Sequence, residues 1–134
     1  MAGSKTDAFE QRILDHTFKG GATPSLATPP PKLWVALYTV VPSDSAAGTE
    51  VSGSGYARRE CVPADWNRVN SQIANAVDMT FPAVTGSPYT VVGWRIMDAV
   101  TAGNALYWGD TATTVMNVGD IPRFATGSLT ASED

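Results

Sequence analysis

The chain has 134 residues, of which 43% are apolar and only 16% charged, with a formal net charge of −4. That length is one domain, and the apolar fraction excludes wholesale disorder. Nine scattered Lys and Arg residues do not make the basic face that phosphate neutralisation demands, so nucleic acid is not an expected partner. The single cysteine, Cys61, excludes an intrachain disulfide and a cysteine-based zinc cluster. No apolar run approaches the ~20 residues of a membrane-spanning helix. Met1–Lys5 leads into polar sequence rather than an apolar signal core, so a soluble chain made in a reducing cytoplasm, without a membrane partner, is expected.

The spacing predicts one helix over residues 6–18. Ser4 or Thr6 serves as its N-cap, because a side-chain oxygen there accepts from an orphan backbone N–H. Asp7 and Glu10 place negative charge in the first turn, where it suits the helix dipole. Phe9, Ile13 and Leu14 recur at helical spacing, with Thr17 and Phe18 a turn later, and Gly20-Gly21 ends the helix. So short a helix is marginal alone in water and must dock its apolar side chains. Its own sheet is one destination and a neighbouring subunit the other, which makes Phe9, Ile13 and Phe18 candidate interface residues. Residues 20–31 read as a linker ending in Pro29, Pro30 and Pro31. Such a run is stiff and extended and donates no ladder hydrogen bonds. It is either a plain connection or an arm laid across another subunit.

From Lys32 the period changes to two. Leu33, Val35 and Leu37 share one face and Trp34, Ala36 and Tyr38 the other. Both faces are apolar, which predicts a central strand covered on both sides. Residues 42–55 read as a long loop, 56–62 as a short strand stopped by Pro63, and 64–71 as a polar loop around Trp66. In 72–81, Ile73, Val77, Met79 and Phe81 share a face. The next strand, 89–99, carries Val92, Trp94, Ile96 and Asp98 on one side. Gly103-Asn104 makes a hairpin-like turn into 105–108. A short edge strand around 114–117 and a last strand over 123–130 complete the set. Seven or eight short strands with regular turn signals argue for a mainly β chain, an antiparallel β-sandwich of jelly-roll type with one N-terminal helix and a Pro-rich arm. The arm and helix occupy 1–31 and the β-sandwich domain 32–134.

Chemistry-bearing patterns are sparse. His16 is the only histidine, and it stands without a local Cys-His signature. Gly53-Ser54-Gly55 lacks both nucleophile-elbow and phosphate-loop spacing. Asp44, Glu50, Asp65, Asp98, Asp110 and Asp120 are a possible source of paired carboxylates, but most sit beside Gly, Pro or Ser, where Asp caps turns. No calcium loop is present. The chain is therefore expected not to be an enzyme and to need no cofactor and no metal. Trp34, Trp94 and Trp108 fall inside strands and read first as core. Trp66 falls in a polar loop beside Arg68, and these two residue types dominate interface hot spots. Trp66 is thus either an exposed anchor or folded back onto the body. Arg58 and Arg59 point to opposite faces, so that one of them is available for a carboxylate on another subunit.

One ordered series of motifs carries a family resemblance. It runs from Lys32–Thr39 through Pro42-Ser43-Asp44, Gly48-Thr49-Glu50-Val51 and Gly55-Tyr56-Ala57-Arg58. It continues with Phe81-Pro82-Ala83, Gly93–Ala99, Gly103–Gly109 and Val118-Gly119-Asp120. The series resembles small virion proteins of tailed bacteriophages, called tail fibre-like, with relatives that serve as head decoration or cement proteins. The resemblance spans about residues 9–129. It implies a structural virion protein at the capsid surface, a decoration or cement protein that binds the major capsid protein and associates with itself as a dimer or trimer. The alternative it implies is a tail-fibre or tail-associated component that contacts a host-surface glycan. Family members usually carry a small apolar residue after the glycine at position 93, where this chain has Trp94-Arg95.

Overall fold

In the computed structural model, residues 3–18 and 30–133 are described. The mainly antiparallel β architecture with one leading helix is as expected. Its centre is a six-stranded sheet. Strand β2 (Leu33–Val40) lies between β8 (Tyr89–Met97) on one side and the short strands β3 (Thr49–Glu50) and β4 (Arg59–Cys61) on the other. Beyond β8 comes the long strand β9 (Ala105–Met116), then β1 (Ser4–Lys5) at the edge. Two small sheets accompany it. One pairs β5 (Trp66–Val69), β6 (Gln72–Asn75) and β11 (Thr130–Ser132), and the other pairs β7 (Met79–Thr80) with β10 (Arg123–Phe124).

The two-sided apolar pattern of β2 is realised. Val35 and Leu37 enter the main core with Cys61, Val91, Trp94 and Ile96 of the large sheet and Met79, Phe81, Leu129 and Ala131 from the covering segments. Ala36 and Tyr38 form a second cluster with Met97 on the other face. The indole of Trp94 is only 2% exposed and lies against Gly3 and Gly109, where an added Cβ would overlap it. Glycine at these two places is the space the ring occupies. The bulk at position 94 is thus core, and Arg95 beside it donates to the Ala46 carbonyl and lies over the Tyr38 ring.

Several boundaries differ from the sequence reading. The register of β8 and β9 shifts between Val91 and Gly93. Before that shift it is Val91, not Val92, that joins the core, because a bulge reverses the alternation. The edge strand expected near 114–117 is the far end of β9. The strand expected over 123–130 is two strands, with Gly127 at positive φ in the turn between them. Residues 66–69, read as loop, form β5, paired with β6 from Trp66↔Asn75 to Val69↔Gln72. Polar Asn67 and Arg68 mask that strand in the sequence.

The helix, α1 (Asp7–Phe18), is preceded by a strand that no pattern predicted. Ser4 and Lys5 pair with Trp108 and Tyr107, and Gly3 bridges Ala131. This ties the edge of the large sheet to a small one. Thr6 is the cap. Its hydroxyl donates to the Ala105 carbonyl (2.6 Å) and accepts weakly from Phe9 N–H (3.4 Å).

Candidate interaction surfaces

Phe9 meets Tyr107 edge-on, with ring centroids 5.7 Å apart, and Arg12 lies over the Phe9 ring and 4.0 Å from Asp98. Ile13 is half-buried. No side chain of α1 is fully buried, and Leu14 and Phe18, one turn apart, are 56% and 79% exposed. The helix is thus docked on its own sheet through its first two turns, and its last turn presents apolar surface. Pro30 and Pro31 are exposed, while Pro29 lies outside the described residues.

Arg58 does not reach outward. Its Nε and one terminal nitrogen form a fork on Glu50, each bond 2.8 Å, and the other terminal nitrogen donates to the carbonyls of Ala99 and Ala102. Tyr56 donates to the same carboxylate (2.8 Å) and accepts from Leu37 N–H (3.0 Å). The reason lies in the ladder. β4 pairs with β2 at Leu33–Val35 and β3 pairs at Tyr38–Val40, so the Leu37 amide falls in the gap, where the Tyr56 hydroxyl satisfies it. Burial disfavours the ionised Glu50, but the hydrogen bonds from Arg58 and Tyr56 outweigh it and hold the carboxyl below its ordinary range. Burial and the bond to Glu50 raise Tyr56. Arg59 lies 3.8 Å from Asp65. Both arginines, expected to leave one of their number for another subunit, have carboxylate neighbours within the chain.

Trp66 is half-buried against the main core. Its indole Nε1 is buried with no hydrogen-bond partner. With Leu33, Pro63, Ile73, Ile96 and Tyr107 it lines a groove of about 610 Å³ between the large sheet and the β5–β6–β11 sheet. Arg68, which donates to the Asn70 carbonyl (2.9 Å), and Glu133 stand at its rim. Glu133 accepts from both Lys5 and Tyr107, and these bonds outweigh its partial burial to keep the carboxyl below its ordinary range. A second cleft, about 410 Å³, sets Asp110, Thr111, Thr114, Arg123 and Ser128 around a floor that includes Trp94 and Phe124. Neither hollow was legible in the sequence, because each is walled by strands far apart in the chain.

Three other carboxylates hold turns. Asp65 accepts from Val62 N–H, Asp98 from the backbone and side chain of Asn104, and Asp120 from Asn117 N–H. Asp98 thereby locks the β8–β9 turn, where Gly103 has φ +78°. Asp44 accepts from the Trp108 indole. Cys61 is buried beside Met79, and burial pushes its thiol up to about 11, which removes the thiolate a nucleophile needs. His16 is exposed on α1. Among the described residues no three His, Cys, Asp or Glu side chains are grouped to hold a metal ion. Among the described residues no helix is long and apolar enough to cross a membrane.

No curated protein matches the chain. A family model described as "Podophage GP4 fiber I protein gp80" matches residues 4–132, which takes in every strand of the fold. The chain belongs to this family of phage fibre-type virion proteins.

Proposed function

We propose that the chain is a non-enzymatic subunit of the fibre apparatus of a podophage particle, and that it joins neighbouring subunits through the last turn of α1. The observation that carries this is the Leu14–Phe18 pair, 56% and 79% exposed on a helix otherwise fastened to its own sheet. The family description supports the fibre location. The engagement of Glu50, Asp65, Asp98 and Asp120 within the chain and the buried thiol support binding rather than catalysis. We read the small sheets packed on the large one as a sandwich-like body, with the jelly-roll connection a finer reading of the same layers. A host glycan, in this reading, meets the cleft where the hydroxyls of Thr111, Thr114 and Ser128 and the Asp110 carboxylate stand beside Phe124.

A second reading, decoration of the shell through the major capsid protein, is favoured by the low charge content of 16%. It suits a surface covered by partners, with a dimer or trimer as the binding unit. Quantitative mass spectrometry of purified particles, against the major capsid protein, separates the two. A handful of copies per particle supports the fibre reading. Copies on the scale of the shell protein support decoration. Absence from the particle overturns both.

A further inference from the structure

We propose that Glu133 is an acid-released clasp on the N-terminal strap, residues 3–6, which carries helix α1. The clasp concerns the chain by itself, and only its consequence for assembly rests on the joint proposed above. The strap is β1 with one residue on either side. Its residues are Gly, Ser, Lys and Thr, so it brings no large apolar side chain. Hydrogen bonds hold it instead. Gly3 N–H donates to the Thr130 carbonyl (2.6 Å) and Thr6 N–H to the Leu106 carbonyl (3.0 Å), while Ser4 and Lys5 pair with Trp108 and Tyr107. Segments with few buried apolar contacts open at free energies well short of global unfolding. A modest local interaction therefore decides how often such a strap opens.

Glu133 supplies that interaction. Its carboxylate accepts from the Lys5 ammonium on the strap and from the Tyr107 hydroxyl on β9. Its own N–H donates to the Ser71 carbonyl (2.9 Å), in the turn between β5 and β6. One residue beyond β11 thus joins the strap, the large sheet and a small sheet. Arg68 of β5 stands on the same rim, with its guanidinium on the Asn70 carbonyl. Gln72 of β6 and Ser132 of β11 carry no charge there, and α1 reaches Tyr107 through the Phe9 ring. Tyr107 stays a neutral donor, because burial and the bond to Glu133 raise it. The charge that changes in acid is therefore the carboxylate's. Its folded value lies below the ordinary range. The clasp is thus complete above the ordinary Glu value of about 4.3 and is lost as pH falls through the folded value. Once protonated, the carboxyl has no ion pair with Lys5 and the strap opens more often. Thr6, the last residue of the strap, is also the cap of α1, so the helix loses its hold on β9 when the strap opens.

The test is amide hydrogen exchange of the full chain across acid pH. The amides of Gly3 and Thr6 are read against those of β8, each corrected for its intrinsic rate. Glu133 is 42% exposed, so the effect is that of a screened pair. In wild type, opening of the strap is expected to rise about two- to fivefold between about pH 6 and about pH 3. Glu133→Gln and Lys5→Met each remove the ion pair. Both are expected to show the raised opening already at about pH 6, with no further rise from this site in acid. Unfolding midpoints confirm that the variants fold. Three results overturn the proposal. The first is no rise in wild type. The second is a rise as steep in both variants as in wild type. The third is opening at about pH 6 that neither variant changes. Variants that open the strap yet enter particles at the wild-type level leave the clasp standing and sink the joint through α1.

Discussion

The main core and the N-terminal helix solve the same problem to different degrees. In the core, Val35, Leu37, Met79, Trp94 and Leu129 lose nearly all contact with water, and the buried side chain of Asn75 is matched. Asn75, 1% exposed, gives its amide protons to the carbonyls of Val77, Phe124 and Ala125 and accepts from Leu129 N–H. One side chain thus anchors the whole loop between β10 and β11. The helix has a cap, one aromatic contact and an arginine near Asp98, and then an apolar last turn in water. The lesson is that the core is self-sufficient and the helix end is not. Surface left apolar beside a well-packed body marks a place for a partner.

Substitutions sharpen that contrast. The largest effect is expected from Trp94→Ala, which empties the ring's place between Gly3 and Gly109 and costs about 3–5 kcal/mol by denaturant unfolding. Asn75→Ala removes the side-chain donor to the Val77 and Phe124 carbonyls and the acceptor of the buried Leu129 N–H, while Ala125 keeps its bonds from Ser128, and costs about 2–3 kcal/mol. A loss within measurement error there would break the claim that the loop hangs on this residue.

The Glu50 site predicts a pH signature. Its folded carboxyl titrates below the ordinary range, so in acid the unfolded chain binds this proton more readily. Stability from this site is therefore complete above the ordinary Glu value of about 4.3 and is lost as pH falls through the folded value. Glu50→Gln flattens that acid limb in thermal unfolding followed across pH. An unchanged slope would mean that the Arg58 fork does not hold in solution.

The smallest effect belongs to the helix end. Phe18→Ser should change stability by less than about 0.5 kcal/mol, while reducing incorporation into particles during infection. A large loss of stability would show that Phe18 is core after all.

What was legible follows the range of the interactions. The helix and the two-sided strand β2 carry periodicities that span only a few residues, and their patterns announced them, whereas the choice of Thr6 over Ser4 as cap was settled by distant Ala105. The β8–β9 turn announced itself through Gly103-Asn104. Strand β5 was hidden because Asn67, Arg68 and Val69 are exposed on both faces of an edge strand, so no alternation of burial marks it. Strand β1 was hidden because Ser4 and Lys5 pair with residues a hundred positions away. The candidate interface divided on the same line. Phe18 and the prolines at 30 and 31 are exposed as a surface reading requires. Arg58 was beyond reach of sequence because its partner is fixed by a gap in a ladder, and Trp66 because its groove is assembled from both layers.

Hydrogen exchange of α1 in the free protein and in purified particles tests the central claim most directly. The account predicts that amides of the last helical turn, around Leu14–Phe18, exchange readily in the free chain and become protected in the particle, while those of β8 are slow in both. Equal exchange of that turn in the two states would contradict it, because the exposed apolar end would then have no partner in the virion.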